Sequence, residues 1–277
     1  MPGMTYSGDP SAGKTSASFD ELAEWGNQWD KYDASVDGSQ PVPYLYTWVR
    51  QRNWWGSGAT LGELHALARN HGIPVAWVPP ADVIRELIRA DDRHDAKLDV
   101  LVGHQEKIRT ACRRAVPEDS AGWHTDYPET ARRVLAAWHD GHLLAAGCLA
   151  LAAAEDIMFL VARVERTRFK TYDELRRTAG REPHPLWWPQ DQVVLTPIEP
   201  LFSQYFPERN DPLPQNLSRH AVMHRLPLEH MNNGHCIVAI MLMISLLAEL
   251  EWHIVQEQAE MYDEAGGAEE DGGGYEP

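Results

Sequence analysis

Two apolar runs, "LLAAGCLALAAA" (Leu143–Ala154) and "CIVAIMLMISLLA" (Cys236–Ala248), constrain this chain more than anything else in it. Each is too long for an ordinary strand and shorter than the ~20 residues that cross a bilayer, so both are expected to be buried core helices. The first follows a helical stretch, "ETARRVLAAWHDG", that begins at Pro128 and ends in a glycine turn. The second sits inside a long final helix, "HCIVAIMLMISLLAELEWHIVQEQAEMY". Two apolar helices flanked by shorter ones imply a mainly α fold, with a helical bundle in the C-terminal half and no membrane span.

The helical punctuation continues upstream. In "TLGELHALARNHG", Thr60 is an N-cap with Glu63 three residues on, Leu61, Leu64 and Leu67 share a face, and Gly72 closes the helix. "IPVAWV" is short, apolar and β-branched, which predicts a strand. Pro79 and Pro80 then start a helix near Ala81, and "AKLDVLVGHQEKIRTACRRAV" predicts a further helical stretch over Ala96–Val116. Beyond the first apolar run, a helix is expected over Thr171–Thr178, mostly helix after Pro197 in "VVLTPIEPLFSQYF", and a short helix in "NLSRHAVMHR". The expected organisation is a polar leader over 1–42, a helical, Trp-rich region over 43–116, a bundle over 117–260, and an acidic tail over 261–277.

Charge narrows the function classes. With 25 Lys and Arg against 41 Asp and Glu the formal charge is −16, which repels polyphosphate at long range and argues against a nucleic-acid coat protein. A local arginine site survives that argument. The segment "EQAEMYDEAGGAEEDGGGYEP" holds eight acids and no Lys or Arg, a composition expected to stay disordered. The 3 cysteines, Cys112, Cys148 and Cys236, are far apart and odd in number, which points away from a disulfide framework and towards a reducing, cytoplasmic setting. Met1–Ser11 has neither a basic start nor an apolar core, so no secretory signal is expected there.

Several motifs compete for the chemistry. Gly8, Gly13, Lys14 and Thr15 match the phosphate-loop pattern G-x-x-x-x-G-K-[ST]. No apolar strand precedes them and no apolar helix follows, so a chance match in a Gly/Ser/Pro leader is the stronger reading, with a nucleotide-binding enzyme as the weaker one. "TLGELHALARNHGIPV" has the cadence of a helix-turn-helix, but "PADVIRELIRADDRHD" supplies no basic recognition helix. Trp48, Trp54, Trp55 and Trp77 read as packing, because Lys and Arg are not interleaved with them.

The densest group of histidines is His220, His224, His230 and His235. His220 and His224 share a helix face, a spacing that serves zinc, but no Glu follows His220 to act as base and no third ligand stands out, so no metal and no cofactor are expected. Arg219 with His224 offers another chemistry. A histidine can take a proton from a ribose 2′-OH or give one to a leaving oxygen, and an arginine can fork onto the phosphate between them. The spacing alone is common here, since Arg89 with His94 and Arg225 with His230 fit it too. In the structural alternative, Arg219 pairs with Glu155 or Glu229 and His224 bonds a carbonyl inside the bundle. His230 and His235 read as loop or cap residues.

In context, "NLSRHAVMHR", a loop and "NGHCIVAIMLMISLLAELE" resemble the C-terminal part of a HEPN domain, with Arg219, His220 and His224 at the positions of its Arg–polar–x3–His motif. "RRVLAAWHDGHLLAAGCLALAAAEDIMFLV" resembles the family's earlier helical pair, with Glu155 on the second helix, and "FSQYFPERNDPLPQNLSRHAVMH" is similar to actinobacterial proteins that end in such a domain. The resemblance spans Pro117 to His253. It implies an up-and-down bundle, a homodimer that brings two motifs into one cleft, and metal-independent RNA cleavage in a toxin–antitoxin or phage-defence setting. Arg219 would hold the phosphate, His224 would act as acid or base, and His220 would position RNA or the partner copy's motif. Arg225 departs from the glycine that often follows the motif. The alternative implied by the family is a non-catalytic module that binds RNA or a protein partner such as an antitoxin.

Overall fold

The computed structural model describes residues 53–54, 56–117, 126–164, 193–225 and 228–270. The phosphate-loop pattern, Trp48, Trp55 and the helix expected at Thr171–Thr178 lie outside them. Among the described residues the chain is helical and holds no strand. In chain order the elements are α1 (Leu61–His71), α2 (Ala81–Arg89), α3 (His94–Gly103), α4 (Gln105–Ala115), α5 (Asp126–His139), α6 (Leu143–Val164), a one-turn α7 (Ile198–Leu201), a 3-10 turn (Pro207–Arg209), α8 (Arg219–Arg225) and α9 (Asn233–Glu270).

The two apolar runs form the core pair. α9 packs most heavily on α6, and α3, α4 and α5 also lie against it. Every residue of α9 from Gly234 to Glu251 is buried. The stretch Asn233–Trp252 is long and apolar enough to cross a membrane, longer than the run read from the sequence, yet 94% of it is buried inside the protein, so its apolar surface is spent on packing. Two glycines set the closeness of that packing. A Cβ on Gly147 of α6 would meet the Cα of Cys236 at 2.9 Å, and one on Gly234 would meet Leu98 Cβ of α3 at 2.7 Å. Those crossings admit no side chain.

Local signals place several helices as expected. Thr60 Oγ1 accepts from Glu63 N–H while the Glu63 carboxylate accepts from Thr60 N–H, a complete capping box, and Gly72 closes α1 at φ 64°. α2 starts at Ala81, after the two prolines. α5 begins at Asp126, two residues before Pro128, because proline is tolerated in a helix's first turn, where its missing N–H has no partner to lose.

Four expectations need correction. "IPVAWV" is not a strand. It is a buried segment with no strand beside it among the described residues, and side chains satisfy its backbone instead. Ser245 Oγ donates to Ala76 O at 2.7 Å, and Asn53 Nδ2 donates to Val75 O and Pro79 O at 2.9 and 2.6 Å. Trp77 turns the segment at φ 64°, in the left-handed region, and its indole N–H donates to Glu249 on α9 at 2.6 Å. The stretch Ala96–Val116 is not one helix: the chain breaks at His104 into α3 and α4, so that Leu98, Leu101, Ile108 and Cys112 can all reach the core. After Pro197 only Ile198–Leu201 is helical, and Phe202–Phe206 leaves the helix to approach α8. α9 continues to Glu270, past the expected start of the acidic tail at 261, through residues rich in the helix formers Glu and Ala.

Candidate functional site around α8

The Arg–x4–His segment forms α8, a helix of seven residues. That is too short to persist alone, so its contacts must hold it. Leu217, Ala221 and Val222 are buried. Ser218 is the pivot. Its Oγ accepts from Ala221 N–H at 3.2 Å, capping the helix, and its own N–H donates to His230 Nε2 at 3.0 Å.

Arg219, the first helical residue, leans onto α6. Its Nε donates to Glu155 Oε2 at 3.0 Å and its Nη2 donates to the same oxygen. The side chains are 26% and 22% exposed, so the pair sits at the rim of the bundle, not inside it. Of the two partners offered by the sequence, Glu155 is the one used. The contact comes through the Nε and Nη2 side of the guanidinium. The next residue of α6, Asp156, accepts from Tyr127 of α5.

His220 faces the loop before α8. Its Nδ1 accepts from Tyr205 N–H at 2.8 Å, so the neutral ring carries its proton on Nε2. The Phe206 ring meets it edge-on, at 5.2 Å and 87°. His224 lies on α8 one turn after His220, and its side chain lies outside the described residues. On an ideal helix, five residues turn about 140° beyond a full turn, so positions 219 and 224 fall on different faces of α8. One copy of α8 therefore spreads the motif over two faces.

His230, in the turn before α9, and His235, in the first turn of α9, are both buried and hydrogen-bonded. His235 Nδ1 donates to His230 O, which leaves its Nε2 bare to accept from His94 Nε2 at 2.9 Å. His230 accepts through Nε2 from Ser218, so its proton sits on Nδ1. His71 joins by stacking on His94 at 5.9 Å and 10° and pairs with Asp92 at 3.1 Å. The two bonds accepted at ring nitrogens, Ser218 N–H to His230 Nε2 and His94 Nε2–H to His235 Nε2, need neutral rings at His230 and His235. Burial, then the neighbouring His235, holds the His230 imidazole down at about 4, and burial with His235 and His71 does the same for His94. Burial also lowers His235.

Nothing in the order of residues links His71 and His94 to the motif, because α1, α3 and the α9 start are brought together only by tertiary packing. Phe206 is equally inconspicuous. Its only signal was an aromatic residue three positions before Arg209. Among the described residues, no group of three or more His, Cys, Asp or Glu side chains is arranged to hold a metal ion. No family model, curated protein or solved structure matches the chain.

Proposed function

We propose that the chain is a metal-independent, HEPN-like ribonuclease of toxin or phage-defence type that works as a homodimer in the cytoplasm. The observation that carries this reading is the rim position of Arg219, 26% exposed and held from its Nε side by Glu155. In this reading Glu155 is a positioning residue and Arg219 binds the scissile phosphate. His224 takes the proton from the ribose 2′-OH. That oxygen attacks the adjacent phosphorus, the P–O5′ bond breaks, and a second histidine protonates the departing 5′ oxygen. The products are a 2′,3′-cyclic phosphate and a 5′-hydroxyl.

The divergence of Arg219 and His224 on one helix supports the dimer, in which each copy completes the other's site. So does the surface beside Arg219. Ala145, Cys148, Ala152 and Glu155 recur on one face of α6, with Leu144 and Leu149 beside them 39% and 46% exposed, and Met223 on α8 is 47% exposed. Exposed apolar side chains in such a group suit a partner surface. The same apolar group, with Arg219 already paired, favours a second reading: a non-catalytic module that binds RNA or a protein partner such as an antitoxin.

The test is RNA cleavage in EDTA by the purified chain beside Arg219→Ala and His224→Ala. Cleavage that survives chelation and is lost in both folded variants supports the enzyme. Equal cleavage by all three samples removes these residues from catalysis. Sedimentation velocity on the same samples tests the dimer, which a monomer at micromolar concentration would contradict.

A further inference from the structure

The turn before α8 carries a feature that the cleavage reading does not use. The Arg209 guanidinium carbon lies 4.2 Å from the centre of the Phe206 ring, and the edge of Phe206 meets His220. Arginine, phenylalanine and histidine thus form a row that ends one residue from Arg219. The turn is held in place from several sides. Phe206 N–H donates to Asp211 Oδ2 at 2.8 Å, Arg209 N–H returns to Phe206 O at 2.9 Å, and Asn210 closes the turn at φ 60°. Tyr205, buried at 8%, anchors the other end through its bond to His220. Arg209 is exposed and forms no ion pair with a described carboxylate, in a chain whose formal charge is −16.

We propose that Phe206 and Arg209 form a stacking subsite for one unpaired base of a single-stranded RNA, beside the phosphate held by Arg219. The exposed Arg209 guanidinium, backed by the Phe206 ring, can offer its outer plane to a flat base and its edge to the phosphate attached to it. A base inside a duplex presents no free face, so the subsite selects single strands. The inference rests on the RNA reading above and adds the form of RNA that is bound.

The test is fluorescence anisotropy with the full chain carrying His224→Ala, so that RNA stays intact, using short labelled oligoadenylate and oligouridylate and an RNA duplex. Phe206→Leu keeps an apolar side chain without the π-face, and Arg209→Lys keeps the charge without the plane. Each is expected to weaken single-strand binding by about 10-fold with little change for the duplex. Arg209→Ala also lowers the salt slope by about 0.7, whereas Phe206→Leu leaves it unchanged. Arg209 is exposed, so its variants keep the test valid if Phe206→Leu fails to fold. Single-strand binding unchanged by all three variants overturns the subsite and leaves the RNA reading standing. Equal losses for single strand and duplex overturn stacking. No binding of any RNA overturns both readings. Binding that depends on Phe206 and Arg209 without cleavage by the unmutated chain supports the subsite and overturns only the cleavage reading.

Discussion

The α6–α9 pair and α8 are held in place by opposite means. The pair meets through apolar contact so close that Gly147 sits at the crossing, as Gly234 does where α9 meets α3, and the buried part of α9 is a near-continuous apolar run. α8 has under half the residues of α6 and hangs from polar bonds: Ser218 to His230, His220 to Tyr205, and Arg219 to Glu155. The first arrangement resists any change of volume. The second is sensitive to protonation and to the loss of single partners, as expected where a surface must stay open to a ligand.

Gly147→Val strikes at the apolar region and carries the largest expected effect. Its Cβ would meet the backbone of Cys236, so α6 and α9 must separate, at a cost of about 3 kcal/mol. Urea unfolding measures it. A loss below about 1 kcal/mol would mean that the crossing is looser than described.

Acid strikes at the polar region. The folded-state values near 4 for His94 and His230 lie below the ordinary histidine value of 6.5, so the unfolded chain binds more protons. Their contribution is fully present above pH 6.5 and is lost as pH falls towards about 4. Each can lower stability by up to about 1.4 kcal/mol per pH unit across that window. Chemical denaturation at a series of pH values should show a steeper slope for the unmutated chain than for His230→Gln, whose amide oxygen can still accept from Ser218. Equal slopes would remove His230 from the acid response.

A smaller effect is expected at the Arg219–Glu155 pair. Both partners are partly exposed, so Arg219→Ala should cost about 1–2 kcal/mol, and adding Glu155→Ala should cost little more. A double-mutant cycle reads the coupling, and strict additivity would mean that the pair contributes nothing. Smallest is Ser218→Ala, which removes the N-cap of α8 for about 1 kcal/mol. Hydrogen exchange should show the loss confined to α8, with α9 unaffected. Faster exchange along α9 would contradict the division between the two regions.

Much of the apolar region is legible in the sequence, because its information is local. The box at Thr60 and Glu63, the left-handed stop at Gly72 and the apolar runs of α6 and α9 each lie within a few turns of chain. The errors arise where a local pattern was overruled. Val75 and Val78 resemble a strand, but no strand runs beside them among the described residues, and Ser245, 169 residues from Ala76, takes up the backbone instead. The site is less legible for the same reason. Arg219, His220 and His224 are visible as residue types at a spacing, and their helix was expected; what surrounds them was not.

By itself the sequence determined the mainly helical class, the caps, the apolar helices that had to be buried and the placement of Arg219, His220 and His224 on one short helix. Period, propensity and capping act over a few residues and can be read from the order of the chain. Tertiary structure alone decided that Arg219 pairs with Glu155, that His71 and His94 join His235 and His230 in one hydrogen-bonded and stacked row, and that Phe206 and Arg209 stand beside α8. Those choices depend on which distant groups the packing of α6 and α9 brings within about 3 Å, the range over which a polar bond acts.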